Sequence, residues 1–151
     1  MQARALAKSD FDQIVQVIDA WWGGATGHLA HPIFFYELGQ LACVVEEDGQ
    51  MIGFLLGFLT PDAPPLGYVH LVGVHPEHRR RGVGRFIYAW FEAACRKRGC
   101  RQVKAITTPG NEGQVLFHQG IGWQAREDAD YAGRGRSRIV FTKALTPPWV
   151  D

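Results

Sequence analysis

Between residues 79 and 85 the chain reads Arg-Arg-Arg-Gly-Val-Gly-Arg, so that four guanidinium groups surround two residues without a side chain. A run of this composition at the start of a helix has the parts of an anion cradle. Gly82 and Gly84 let the backbone come close to a ligand, and the first helical turn offers unpaired N–H groups at the positive end of the helix dipole. Arg79, Arg80, Arg81 and Arg85 supply charge at the rim. A diphosphate suits such a cradle, because it accepts several backbone hydrogen bonds at once and pairs with arginine. The alternative is a tight turn at the edge of a solvated arginine face. The spacing excludes two other phosphate loops: there is no GxxxxGK[ST], and the third glycine of the dinucleotide fingerprint is missing.

The elements that must position this loop follow from the hydrophobic periodicity. Tyr68 to Val74 reads as a β-branched, apolar strand leading into it, ended by Pro76. Val83, Phe86, Ile87, Trp90, Phe91, Ala94 and Cys95 recur at helical spacing from Gly82 to about Arg98, with Gly99 as the stop. Gln102 to Thr107 predicts a strand, Asn111 to Gln119 a helix of two turns, and Gly120 to Trp123 the exit into a further strand. Arg138 to Lys143 predicts the last. Upstream, Gln2 to Leu6 reads as a short strand and Ser9 or Asp10 as the N-cap of a helix whose apolar face is Phe11, Ile14, Val15, Ile18 and Trp22. That helix stops at Gly23-Gly24. A second short helix is expected from Pro32 to Leu38, then a hairpin of Leu41–Glu46 and Met51–Leu59 turned at Asp48-Gly49. The order β-α-α-β-β-β-α-β-α-β-β describes a mixed α/β (α+β) sheet in one domain, residues 1–145, followed by a Pro-rich tail, 146–151.

With the elements in place, the sequence resembles the GCN5-related N-acetyltransferase superfamily. Arg79-Arg80-Arg81-Gly82-Val83-Gly84 matches that family's R/Q-x-x-G-x-G/A loop, and Val72 to His78 is similar to its strand-to-loop lead-in. Asn111 through Phe117-His118-Gln119-Gly120-Ile121-Gly122-Trp123 looks like its second motif. The resemblance covers Tyr68 to Trp123 well and the first half through element order alone. It implies a mostly antiparallel sheet flanked by helices and splayed between the fourth and fifth strands. The exposed edge at Val72, Gly73 and Val74 would bind pantetheine as an added strand, and a backbone N–H there would stabilise the oxyanion. The resemblance also implies acetyl-coenzyme A as cofactor, its pyrophosphate on residues 79–85 and its pantetheine arm held by Asn111. The acceptor would be a primary amine of a small molecule or peptide, acetylated directly.

For proton transfer the resemblance points to His70, where some members carry a histidine that works as a base through water; its ordinary pKa of about 6.5 suits that task. His118 stands where the family commonly has a tyrosine that protonates the leaving thiolate, so here an imidazole would donate the proton or contact the cofactor. Ile106 replaces a glutamate base of some members. Tyr131, between the last two strands, is the substrate-side candidate. Trp21, Trp22, Phe34, Phe35 and Tyr36 come from the helices that wall the family's acceptor pocket. If some of them face the cleft, with Glu37, Asp128 or Asp130 nearby, the acceptor is a small amine with an apolar or aromatic part.

Composition narrows the alternatives. The 151 residues are 46% hydrophobic and 21% charged, with 16 Lys plus Arg against 15 Asp plus Glu. A core of ordinary size needs neither disulfide nor metal at this length. A net charge of +1, with one basic cluster and no second stripe, argues against nucleic acid. No apolar run reaches membrane-spanning length and the first 20 residues are unlike a signal peptide. Cys43, Cys95 and Cys100, an odd set without CxxC, suit a reducing, cytoplasmic location. The pairs His28/His31 and His75/His78 lack the further ligands of a metal site. A homodimer through the last strands is implied by the resemblance. The rival to an enzyme is a non-catalytic coenzyme A-binding or sensor module, for which the missing tyrosine is the motive.

Overall fold

A computed structural model describes residues 1–146; the Pro-rich tail lies outside the described residues from 147 onward. The order of elements is β1 (Gln2–Ala5), α1 (Lys8–Trp22), α2 (Ile33–Tyr36), β2 (Cys43–Glu47), β3 (Gln50–Leu59), β4 (Gly67–Val74), α3 (Val83–Lys97), β5 (Gln102–Thr107), α4 (Glu112–Gly120), β6 (Gln124–Asp128) and β7 (Arg138–Ala144). Single 3₁₀ turns occupy Gly27–Leu29, Gly39–Leu41 and Pro76–His78. The expected element order holds throughout. The second helix is shorter than expected, ending at Tyr36, and β2 begins at Cys43 because Gly39–Leu41 coils into a 3₁₀ turn.

All seven strands form one sheet in the order β1-β2-β3-β4-β5-β7-β6. Every neighbouring pair is antiparallel except β4 and β5. Two apolar clusters cover its two faces. On one, Ile14, Ile18 and Trp21 of α1 pack on Val44, Phe54, Leu56 and Leu71. On the other, Val83, Ile87, Tyr88, Phe91 and Cys95 of α3 pack on Leu55, Val69, Val103, Ala105 and Phe141, joining strands from both halves of the sheet. Two glycines of β4 are required by this packing: a Cβ on Gly67 would overlap the Cys95 Sγ, and one on Gly73 the Phe54 ring.

Helix α1 starts two to three residues earlier than its polar residues suggest. Its N-cap is Ala7, which has no side chain able to cap. Asp10, at the third helical position, accepts the Ala7 N–H at 2.8 Å and the Arg4 guanidinium at 2.7 and 2.9 Å. Arg4 reaches Glu46 of β2 as well, so one buried carboxylate ties the start of α1 to the sheet edge. The helix ends at Gly23, whose φ of 74° is the left-handed conformation glycine adopts without penalty.

The Arg4 hydrogen bonds hold the Asp10 carboxyl below its ordinary range. A carboxyl with a depressed folded pKa contributes stability that is full above its unfolded pKa and lost as pH falls through the folded one. Asp10→Asn should therefore cost about 1–3 kcal/mol in urea unfolding at pH 7, with the deficit shrinking as the titration is repeated toward pH 3.

Candidate active site

Strands β4 and β5 run parallel but are in register at only two pairs, Gly67 with Val103 and Tyr68 with Lys104. Beyond these they part. Each stays paired on its outer side, β4 with β3 as far as Val74 and β5 with β7 as far as Thr107. The inner edges thus face a cleft of about 880 Å³. Which backbone groups point into it follows from the alternation of a strand. His75 donates its N–H to Ile52 O on β3 at 2.8 Å. Gly73 shares that direction, so Val72 and Val74 turn their N–H and C=O groups toward the cleft. A thread with its own amide groups can bind there as an additional strand.

Strand β4 runs directly into the arginine loop. Gly82 caps α3 with φ 81°, and a Cβ there would meet nothing, so this glycine serves its conformation. At Gly84 the constraint is space, since a Cβ would lie 3.3 Å from Phe117 of α4. Phe86 is the first residue of α3 to find a helical acceptor, Gly82 O at 3.0 Å. The N–H groups of Val83, Gly84 and Arg85 are left unpaired at the mouth of the cleft, as an anion requires. Arg79 lines the cleft and donates to Trp21 O at the end of α1. Arg81 pairs with Glu47 at 3.2 Å, Arg80 is exposed with φ 62°, and Arg85 reaches Gly120 O at 3.5 Å. Asn111 caps α4 through Oδ1 to the Gln114 N–H and ties to Thr107 Oγ1 through Nδ2, while also lining the cleft.

His70 owes its direction to an irregularity. Leu56 is paired with Leu71 and Gly57 with Val69, so His70 is the extra residue of a β-bulge. Its ring stacks on Phe34 with centroids 3.7 Å apart, and Nε2 lies 2.7 Å from Leu29 O. A carbonyl can only accept, so Nε2 carries the hydrogen and the lone pair of the neutral ring is on Nδ1. Burial pushes the His70 pKa below its ordinary value despite the Leu29 hydrogen bond. At neutral pH the imidazole is a free base lining the cleft.

His118 is built differently. It is 2% exposed, stacked flat on Phe141 at 3.9 Å and enclosed by Tyr88, Phe117 and Trp123. Nδ1 donates to Gln114 O at 2.8 Å, which leaves Nε2 to accept from the Tyr88 hydroxyl at 2.9 Å. Burial lowers its pKa too. A ring with both nitrogens engaged and its charged form disfavoured is poorly placed to donate a proton as an imidazolium, the role the sequence suggested for it. Tyr88 carries no motif that marks it in the sequence. The spacing of Val83, Ile87, Phe91 and Cys95 puts Tyr88 beside the buried stripe of α3, but its partner lies thirty positions away on α4.

At the end of α1, Trp21 and Trp22 both line the cleft, Trp21 buried against Phe54 and His75 and Trp22 40% exposed. Tyr131 sits under the Lys104 ammonium, 4.7 Å from ring centroid to Nζ. Tyr131, Asp128 and Asp130 do not enter the cleft lining; the two aspartates accept backbone N–H groups of their own loop, from Asp130 at 3.3 Å and Gly135 at 2.7 Å. Among the described residues no group of three His, Cys, Asp or Glu could hold a metal.

A model of the acetyltransferase (GNAT) family matches residues 11–123. "Acetyltransferase plu1384" of Photorhabdus laumondii is 27% identical over 106 residues, 70% of this chain and 66% of that protein. An L-2,4-diaminobutyric acid acetyltransferase of Nocardia farcinica is 29% identical over 78 residues, 52% of this chain and 40% of that protein. The chain thus spans less than two thirds of the length of these curated relatives. In fold, it superposes with a TM-score of 0.76 on an aminoglycoside 6'-N-acetyltransferase complexed with coenzyme A, at 12% identity over 100% of both chains.

The two histidines predict opposite tautomers. In ¹⁵N NMR at pH 7, His118 should show a protonated Nδ1 and His70 a protonated Nε2, with both midpoints below the ordinary value of about 6.5. A His118 that is charged at pH 6.5 would contradict the assignment.

Proposed function

Because this chain belongs to the GNAT acetyltransferase family, we propose that it is an acetyl-coenzyme A-dependent N-acetyltransferase, transferring the acetyl group directly to a primary amine of a small molecule or peptide. The observation that carries this reading is the continuity of the unpaired β4 edge with the loop and open N-terminus of α3. Those two features fit the two parts of the cofactor. The edge at Val72, Gly73 and Val74 matches an amide-bearing pantetheine arm, and residues Arg79 to Arg85 match its pyrophosphate. Asn111, Tyr88 and His118 line the cleft and would contact the arm.

When bound, acetyl-coenzyme A supplies an activated carbonyl and a thiolate as leaving group. The N–H groups on the cleft edge of β4 are already fixed in position, so they would stabilise charge on a carbonyl oxygen placed against them without reorganising. His70 Nδ1 accepts the proton that the incoming ammonium must lose, directly or through one water. Its depressed pKa keeps it competent at neutral pH. Leu29 O and Phe34 hold the ring in the productive tautomer and plane. His118, neutral and buried, shapes the floor and orients the Tyr88 hydroxyl.

Cytoplasmic residence fits the three free, buried thiols. Among the described residues no helix is long and apolar enough to cross a membrane.

Calorimetric titration tests the cofactor half. Acetyl-coenzyme A should bind the wild-type chain at micromolar concentration and fail to bind a folded Gly82→Asp, Gly84→Asp double variant. Binding with no transfer to any amine would favour a coenzyme A-binding module instead. The catalytic half predicts that His70→Ala lowers kcat/KM by about 10²–10⁴. The wild-type acid limb, on which activity falls as His70 gains a proton, should lie below pH 6.5.

A further inference from the structure

The acceptor side of the cleft has a charge pattern that the proposed reaction does not explain. Among the described residues no Asp or Glu lines the cleft, although the acceptor of the proposed reaction is an amine that arrives as a cation. The carboxylates nearest in sequence to Tyr131 are already engaged. Asp128 and Asp130 accept backbone N–H groups, Asp128 pairs with Arg126 at 3.6 Å, and Glu127 accepts the Ser137 hydroxyl at 2.7 Å. One cation, Lys104 of β5, lies just outside the residues that line the cleft, as do Tyr68 and Tyr131. Lys104 is in register with Tyr68 where the two parallel strands meet, and its ammonium lies over the Tyr131 ring. Among the described residues it has no ion-pair or hydrogen-bond partner other than that ring. Two residues further along β5, about 7 Å in a strand, Ile106 lines the cleft, as does His70 of β4.

Aromatic contacts connect this cation to the base. His70 stacks on Phe34, Phe34 lies 6.0 Å from Phe58, and Phe58 lies 5.1 Å from Tyr68. Burial and the neighbouring Tyr131 push the Tyr68 phenol up to about 12, so it remains a hydrogen-bond donor at neutral pH. Beyond the cleft lining, the described residues therefore offer an ammonium and two phenols, and the carboxylates of Glu127, Asp128 and Asp130 are engaged elsewhere.

We propose that Lys104, with Tyr68 and Tyr131, forms an anion-binding subsite that selects amines carrying a carboxylate a few bonds from the reacting nitrogen. The inference rests on the proposed acetyl transfer. Lys104 pairs with the acceptor's carboxylate and the aromatic path from Tyr68 to His70 spans its carbon chain, which places the amine at His70 Nδ1. A diamine lacking the acid group meets only the repelling ammonium. The carboxylate comes either from a free amino acid or from an acidic side chain next to a peptide N-terminus.

Steady-state acetylation by the full chain tests this with matched acceptors. One arm compares ω-amino acids of two to five carbons with their primary amides; the other compares Ala-Glu and Ala-Gln peptides with amidated C-termini. The acid should exceed its uncharged partner in kcat/KM by about tenfold or more in at least one arm, and the arm that shows it names the source. Lys104→Met should abolish that ratio through KM while leaving the KM for acetyl-coenzyme A in place, and Lys104→Glu should invert it. Transfer that is equal for acids and amides, or faster for diamines, overturns the subsite and leaves the acetyltransferase reading standing. Transfer to no acceptor, by protein that binds acetyl-coenzyme A, overturns both.

Discussion

The site depends on two strands that stop pairing. After Gly67/Val103 and Tyr68/Lys104, β4 and β5 diverge, although each remains fully paired with its outer neighbour. Buried backbone groups normally find partners, so an unpaired inner edge is tolerated only where solvent or a ligand reaches it. The divergence is held open from below. Helix α3 bridges both half-sheets with Ile87, Tyr88 and Phe91, and the stacked pair His118 and Phe141 fills the space between α4 and β7. The Tyr88–His118 hydrogen bond locks these two helices across the crack.

The remaining features exploit that opening. The bulge at His70 turns an imidazole toward the gap on the acceptor side, and the loop after β4 brings the N-terminus of α3 to the other end. Arg79 joins the two ends of the cleft, because it belongs to the loop after β4 yet donates to Trp21 O in the last turn of α1. Lys104 stands at the vertex where the strands still meet. On the proposed reading, cofactor edge, base and charge selection are thus set by one pair of strands and the point at which they separate.

Much of this was legible in the chain because local chemistry dictates it. Gly23, the Asp48-Gly49 turn and Gly99 all have positive φ in the structure, and each marked a boundary in the sequence. The loop 79–85 was readable because glycine and arginine are needed there as residue types. What sequence could not supply was orientation across elements. Position 118 was visible as a departure, but whether its ring faces the cofactor or the core depends on Tyr88, Gln114 O and Phe141 arriving around it. Similarly, Leu29 O sets the His70 tautomer from 41 residues away. The start of α1 was misplaced by its polar residues, because Asp10 serves as a reverse cap recruited by Arg4 rather than as the N-cap itself. Lys104 was passed over, since a lysine on alternate strand positions reads as an ordinary solvated residue until its neighbours are known.

Amide hydrogen exchange at single-residue resolution, with and without acetyl-coenzyme A, addresses the central claim most directly. Val72 and Val74 should exchange quickly in the free protein and slow strongly with the cofactor bound, whereas Gly73, directed at β3, should be protected in both states. If Val72 and Val74 are already protected in the free protein, or remain fast with cofactor bound at saturation, the open β4 edge is not where the cofactor binds.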